Sequence, residues 1–282
     1  MGRRVHLFMA ALLAGMFFMA AEAGAAAKDF NAKAFGLSGH YSMVQELSGN
    51  FKDGTDNAVT VRLIGKHEQK SPFYNGFWLE ILAENGGKST LVPLRKNVEG
   101  YDPYMEARNF RYPARSEIFL SLQSGGSGGL GNYFIFEITD ENKIRYLFDS
   151  DADQPPSVKA NFLDQYQGEI TVEATGTQAR VDLTSRRKQY EEQGVYDPKT
   201  GVLKEAVEIW GGGYSSLIAM DGDNNGIDEL RGVLELSGTS HADRVASVIY
   251  TMAYYDGKWT VINDRIAPAE GLTLMRPPRV AK

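Results

Sequence analysis

Nine residues carry the sharpest chemical signal in this chain: Asp221-Gly222-Asp223-Asn224-Asn225-Gly226-Ile227-Asp228-Glu229. Calcium takes six to eight oxygen ligands, several of them carboxylate, and a tight turn can present them. Asp221, Asp223 and Asn225 stand at positions 1, 3 and 5, so alternate side chains can converge on one ion. Gly226 at position 6 permits a sharp bend. Ile227 at position 7 can offer its backbone carbonyl, and Glu229 at position 9 adds a further carboxylate. The competing reading is a solvated acidic turn that Asn225-Gly226 simply closes. An EF-hand is excluded, because the bidentate Glu it needs at position 12 is replaced by Gly232. The residues from Glu229 onward alternate at period 2, with Leu230, Leu234 and Leu236 on one face and Glu229, Arg231 and Glu235 on the other. That pattern predicts a strand.

Catalytic patterns are weaker. Gly125-Gly126-Ser127-Gly128-Gly129 satisfies G-x-S-x-G literally, but a nucleophile elbow runs from a strand into a helix. Here a second β pattern comes next, so Ser127 is expected in a hairpin connection and not as a nucleophile. His40, His67 and His241 stand in no hydrolase frame. Paired carboxylates for glycoside cleavage are defined in space and leave no fixed spacing in sequence. Trp210, before Gly211-Gly212-Gly213-Tyr214, is the aromatic placed best to stack on a ligand. Packing in the core is the ordinary role of such residues.

The elements that must position these residues read as β. Short runs rich in β-branched and aromatic residues recur between Gly, Asn and Asp clusters: 59–64, 77–82, 117–122, 133–138, 169–173, 180–183, 217–220, 230–236, 246–254 and 259–262. Antiparallel sheets in a sandwich, barrel or propeller follow from that spacing. Helical periodicity is confined to short stretches, 29–40 and 186–193. A turn before a strand recurs at Asp53-Gly54, Pro113-Ala114 and Asn225-Gly226. The intervals suggest related units about 56–60 residues apart, near 41–100, 101–160, 161–212 and 213–282.

The N-terminus places a cationic Met1-Gly2-Arg3-Arg4 before an apolar run and small residues ending near Ala23. That order is a secretory signal, expected to be removed after Ala23, with Ala27 as the alternative site. The chain has no cysteine, so an exported domain of this kind relies on its core, helped by any bound metal. A hydrophobic fraction of 43% and 11% aromatics supply that core. The net charge of −6 disfavours nucleic acid and anionic lipid and is compatible with cation binding.

Residues 220–230 resemble the D-x-D-x-N-G-x-x-E-L loop of the FG-GAP or VCBS-like repeats of integrin-type β-propellers. Gly125–Gly129 leading into Asn132-Tyr133-Phe134-Ile135-Phe136, and Trp259-Thr260-Val261-Ile262 near the end, are similar to exported bacterial proteins of that kind. The resemblance implies an all-β, β-propeller-like or tandem-β fold. It also implies one calcium held by Asp221, Asp223, Asn225, Ile227 and Glu229. The earlier units depart from the pattern. Around Asp53, positions 1, 3 and 9 are Gly49, Phe51 and Asn57; around Pro113 they are Asn109, Arg111 and Glu117. The expected function is a secreted or envelope-associated binding or structural module with a protein or glycan partner. The alternative is a secreted hydrolase acting on polysaccharide or peptide.

Overall fold

Most strands that follow one another in sequence pair with one another, in four successive sheets. The computed structural model describes residues 28–52, 58–83, 88–126 and 128–269. The N-terminal stretch expected to be a signal, the turn at 84–87, Asp53-Gly54, Asn57 and Ser127 lie outside the described residues. The first sheet holds β1 (Lys28–Asp29), β2 (His40–Gly49), β3 (Val59–His67), β4 (Tyr74–Ile81) and β5 (Thr90–Pro93). The second holds β6 (Tyr101–Tyr112), β7 (Arg115–Gln123), β8 (Gly131–Ile138) and β9 (Ile144–Asp149). The third is β10 (Val158–Leu163), β11 (Gln167–Val172) and β12 (Gln178–Asp182). The fourth holds β13 (Trp210–Gly211), β14 (Ser216–Met220), β15 (Glu229–Ser237), β16 (Arg244–Tyr255) and β17 (Lys258–Pro268), with β13 and β14 sharing one edge of β15. All named ladders are antiparallel. The strands β2, β6, β10 and β14 begin at His40, Tyr101, Val158 and Ser216, hence 61, 57 and 58 residues apart. The protein is therefore an all-β array of tandem antiparallel units.

Helix is minor. The expected stretch at 186–193 forms α1 (Arg187–Glu192). The stretch at 29–40 forms only a 3-10 turn, Ala32–Phe35, stopped by Gly36 at φ +71°. A left-handed glycine ends a helix because the next N–H turns back on the preceding carbonyls, and the Leu37 N–H does bond to the Ala32 carbonyl at 3.0 Å.

The second sheet is the central layer, which explains why β7 and β8 are nearly continuous apolar runs. Ile118, Leu120, Leu122, Phe134, Phe136 and Ile138 pack with Val61, Leu63, Phe77, Leu79 and Ile81 of the first sheet. Their sequence neighbours Phe119, Tyr133 and Ile135 join Phe162 and Ile170 of the third sheet and Leu230, Leu234, Leu236 and Tyr250 of the fourth. Successive side chains on a strand point to opposite faces, so a strand buried on both faces loses its alternation of apolar and polar. Gly232, the residue that excludes an EF-hand, pairs across the ladder with Tyr250. A Cβ there would sit 2.2 Å from the tyrosine ring, so glycine lets the ring lie over the strand.

Candidate functional site

The loop joins β14 to β15. Asn224 at φ +59° and Gly226 at φ +84° make the bend. Asp221 accepts the backbone N–H groups of Asn225 and Gly226, each at 3.0 Å. Asp223 accepts from the Asn225 backbone N–H at 3.2 Å and from its side-chain amide at 3.0 Å. The Asn225 side-chain oxygen accepts the Ile227 N–H at 2.7 Å. Glu229 belongs by alternation to the polar side of β15, yet it is only 9% exposed. It folds back over the loop and accepts the Gly222 N–H at 2.9 Å. The return of Glu229 brings position 9 over position 2. Among the described residues no three acidic or histidine side chains yet converge on one point.

The hairpin between β6 and β7 repeats the arrangement with different chemistry. Counting Asn109 as position 1 makes Phe110 position 2, Arg111 position 3 and Glu117 position 9. The Phe110 N–H donates to Glu117 at 2.8 Å, the counterpart of Gly222 donating to Glu229. Here, however, Arg111 donates from Nε to the same carboxylate at 2.7 Å. The carboxylate at position 9 thus meets a guanidinium supplied by the chain. Glu229 has no cationic partner among the described residues.

Glu117 is fully buried and its neighbour Glu137 is 1% exposed. The pairing of Ile118 with Phe136 sets the two glutamates opposite one another, which is unfavourable for like charges. Arginines offset it. Arg111, Arg115 and Arg145 all reach Glu137, the Arg115 contact at 2.6 Å. Burial pushes the Glu117 carboxyl above the ordinary 4.5, outweighing the Phe110 N–H and the Arg111 guanidinium, which act downward. The folded protein then holds this proton more tightly than the unfolded chain, so stability falls as pH rises from about 4.5 through the raised value. Glu117→Gln should remove that term. Its stability relative to wild type is expected to climb as pH rises above about 4.5, and parallel melting profiles would contradict this.

Sequence reasoning assigned Asp228 no role, and the fold gives it one. Its N–H donates to the Asn109 carbonyl at 2.6 Å, while its carboxylate accepts the Asn109 N–H at 2.9 Å. Arg108 lies 3.5 Å away. Beside this pair, a Cβ on Gly226 would stand 3.3 Å from Pro113. The β6–β7 register shifts between Arg108 and Tyr112, and a bulge of that kind frees backbone groups from the ladder. The freed N–H groups of Asn109 and Phe110 are met by Asp228 and Glu117. Asn109 stands 119 residues from Asp228, so no local pattern could have found the pair.

The remaining candidates are structural in their contacts. His67 bonds to Ser42 at 2.7 Å and to the Glu68 carbonyl at 2.8 Å. His241 lies edge-on to Trp210, whose indole N–H donates to the Gly238 carbonyl at 2.8 Å. Tyr214 is buried and donates to the Asp153 carbonyl at 2.5 Å. The buried pair Glu117 and Glu137 is clamped by arginines away from solvent. Two clefts beside the first sheet are lined by Lys52, Lys88, Thr90 and, from the β8–β9 turn, Asn142, and by Phe35, Trp78 and Leu91, with no carboxylate among their described residues.

Residues 156–267 match the family model described as the YybI C-terminal domain. That span begins at the approach to β10 and ends within β17, so it takes in the third and fourth sheets and the whole 221–229 loop. The chain is also similar to the uncharacterized protein YybI of Bacillus subtilis (strain 168). They are 24% identical over 204 residues, covering 72% of this chain and 76% of that one. No solved structure matches.

Proposed function

We propose that this chain is an exported binding or structural module whose 221–229 loop takes one divalent cation, calcium, as a structural component. One observation carries the reading. Glu229 is a buried carboxylate without a cationic partner among the described residues, whereas its counterpart Glu117 meets Arg111. A buried charge is costly unless paired or bound to a metal, and a cation at the loop would do for Glu229 what the guanidinium does for Glu117. Asp221, Asp223 and Asn225 through their side chains, Ile227 through its carbonyl, and Glu229 would hold it. The ion offsets most of the charge of three carboxylates and stiffens the turn. No side chain of the loop is set for proton transfer or nucleophilic attack, so the role is structural. The likeness to FG-GAP or VCBS-like repeats points the same way, and the N-terminal pattern supports export to an envelope or the medium. A protein or glycan partner suits such a module.

Extracellular sites of this type bind calcium at ~10⁻⁴–10⁻³ M. At ~2 mM calcium and a dissociation constant of ~10⁻⁴ M, linkage adds about 1.8 kcal/mol of stability. Melting curves with calcium and with chelator should differ accordingly in the wild type and coincide in Asp221→Ala. Magnesium should substitute poorly, since it demands near-octahedral geometry and surrenders water reluctantly. Identical wild-type curves would remove the reading.

A further inference from the structure

Two of the three tryptophans spend their indole N–H inside the protein. Trp210 donates to the Gly238 carbonyl at 2.8 Å and Trp259 to the Leu147 carbonyl at 2.9 Å. Trp78 differs. Its N–H meets no acceptor among the described residues, and its half-buried ring lines a cleft of about 490 Å³ with Phe35 and Leu91. That volume falls in the ~300–1,000 Å³ range of ligand clefts. The Tyr41 ring packs against the indole at an edge, centroids 5.2 Å apart. The smaller cleft, of about 240 Å³, adjoins it, because Lys88 and Thr90 line both. Charge in this joint groove has one sign. Lys52 and Lys88 face it, neither has an ion-pair partner among the described residues, and no carboxylate is among its described lining. The chain as a whole carries −6, but exposed charges more than about 8–10 Å away are largely screened. The side-chain oxygen of Asn142, on the wall of the smaller cleft, is buried and meets no donor among the described residues. A buried acceptor left unpaired is costly, and a ligand hydroxyl would satisfy it.

We propose that this groove binds an acidic glycan. Trp78 stacks on the apolar face of a sugar ring and offers its free N–H beside it, an apolar body with a polar tip. Lys52 and Lys88 pair with the negative groups of the chain. Thr90 and the Asn142 oxygen take its hydroxyls. A neutral glycan would leave both lysines without a counter-charge. An acidic peptide would match the lysines but carries no flat sugar ring beside its carboxylates. The inference deepens the binding-module reading and rests on it, while owing nothing to a cation at the 221–229 loop.

The test is calorimetric titration of the full chain at low salt, with chelator present throughout. Oligogalacturonate supplies carboxylates and dextran sulfate supplies sulfates; neutral dextran and polyglutamate are the comparisons. At least one acidic glycan should bind, more weakly as salt rises, and neither comparison should. Trp78→Ala should weaken that binding by about tenfold or more, the loss of an aromatic anchor. Trp78→Phe keeps an aromatic face and should recover most of it, which guards against a variant that fails to fold. Lys52→Ala and Lys88→Ala should each weaken binding about two- to fivefold, the range of an exposed ion pair. Equal binding of polyglutamate would overturn the glycan assignment in favour of an acidic peptide. Equal binding of neutral dextran would overturn the role of the lysines. No binding of either acidic glycan, or binding unchanged in Trp78→Ala, would overturn the proposal. With chelator present none of these results bears on calcium at the loop, and a failed calcium titration would leave the groove assignment standing.

Discussion

Glu137→Ala is expected to lower the stability of the protein by about 3–5 kcal/mol, the usual cost of removing one partner from a buried charge cluster. Glu137 is 1% exposed and holds Arg111, Arg115 and Arg145. The side chains of Arg111 and Arg115 are each only 12% exposed, whereas that of Arg145 is 57% exposed. On loss of the carboxylate Arg145 can turn to water, but the other two guanidinium groups stay close together in a region poor in solvent. Glu117 can compensate only in part, because its carboxylate already takes the Phe110 N–H and Arg111. Urea unfolding monitored by tryptophan fluorescence measures the loss. A change below about 1 kcal/mol, the range of an exposed ion pair, would mean that the cluster is solvated and does not organise the sheet.

Phe134→Ala should cost a similar ~3–5 kcal/mol, through a cavity rather than a charge. Phe134 is 1% exposed and faces the first sheet, with the Tyr146 ring 6.2 Å away at its edge. Its neighbour Tyr133 faces the other way, into the core shared with the third and fourth sheets. In a sheet with one solvated face, one of these two adjacent positions would tolerate truncation. Here neither should. The central-layer arrangement would be contradicted if Phe134→Ala unfolded within about 1 kcal/mol of wild type in the same urea series.

The sequence made the inner strands legible and the edges much less so. Strands β3, β7, β8, β15 and β16 carry dense β-branched and aromatic runs. Strand β6 does not. It opens Tyr101-Asp102-Pro103-Tyr104, and proline and polar residues are what an edge strand tolerates. Its register shifts at both ends erase the period-2 signal further. Strand β2 is hidden in the same way by a shift between Met43 and Gln45. At that irregularity the Gln45 side chain bonds to both the backbone N–H and the carbonyl of Met105, each at 2.8 Å. It takes the place of a neighbouring strand on the β6 edge, a role no propensity could announce.

The candidate site divides along the same line. Asp221, Asp223, Asn225 and Glu229 lie within nine residues, so spacing alone drew them together. The burial of Glu229 was not legible, since its alternation placed it on the polar face of β15. Nor was the correspondence between Glu229 and Glu117. Reading Asn109, Arg111 and Glu117 as a degenerate copy of the loop was possible in sequence. That Arg111 would lie against Glu117 depended on the β6–β7 bulge, and the partner of Asp228 depended on how two sheets meet.

Calorimetric titration of the folded chain with calcium is the most direct measurement of the central claim. One ion should bind with a dissociation constant of ~10⁻⁴–10⁻³ M. Asp221→Ala should abolish the binding heat while leaving the far-ultraviolet β spectrum unchanged, because the two hydrophobic cores do not include the loop side chains. No binding heat in the wild type, or equal heat in wild type and Asp221→Ala, would contradict the account.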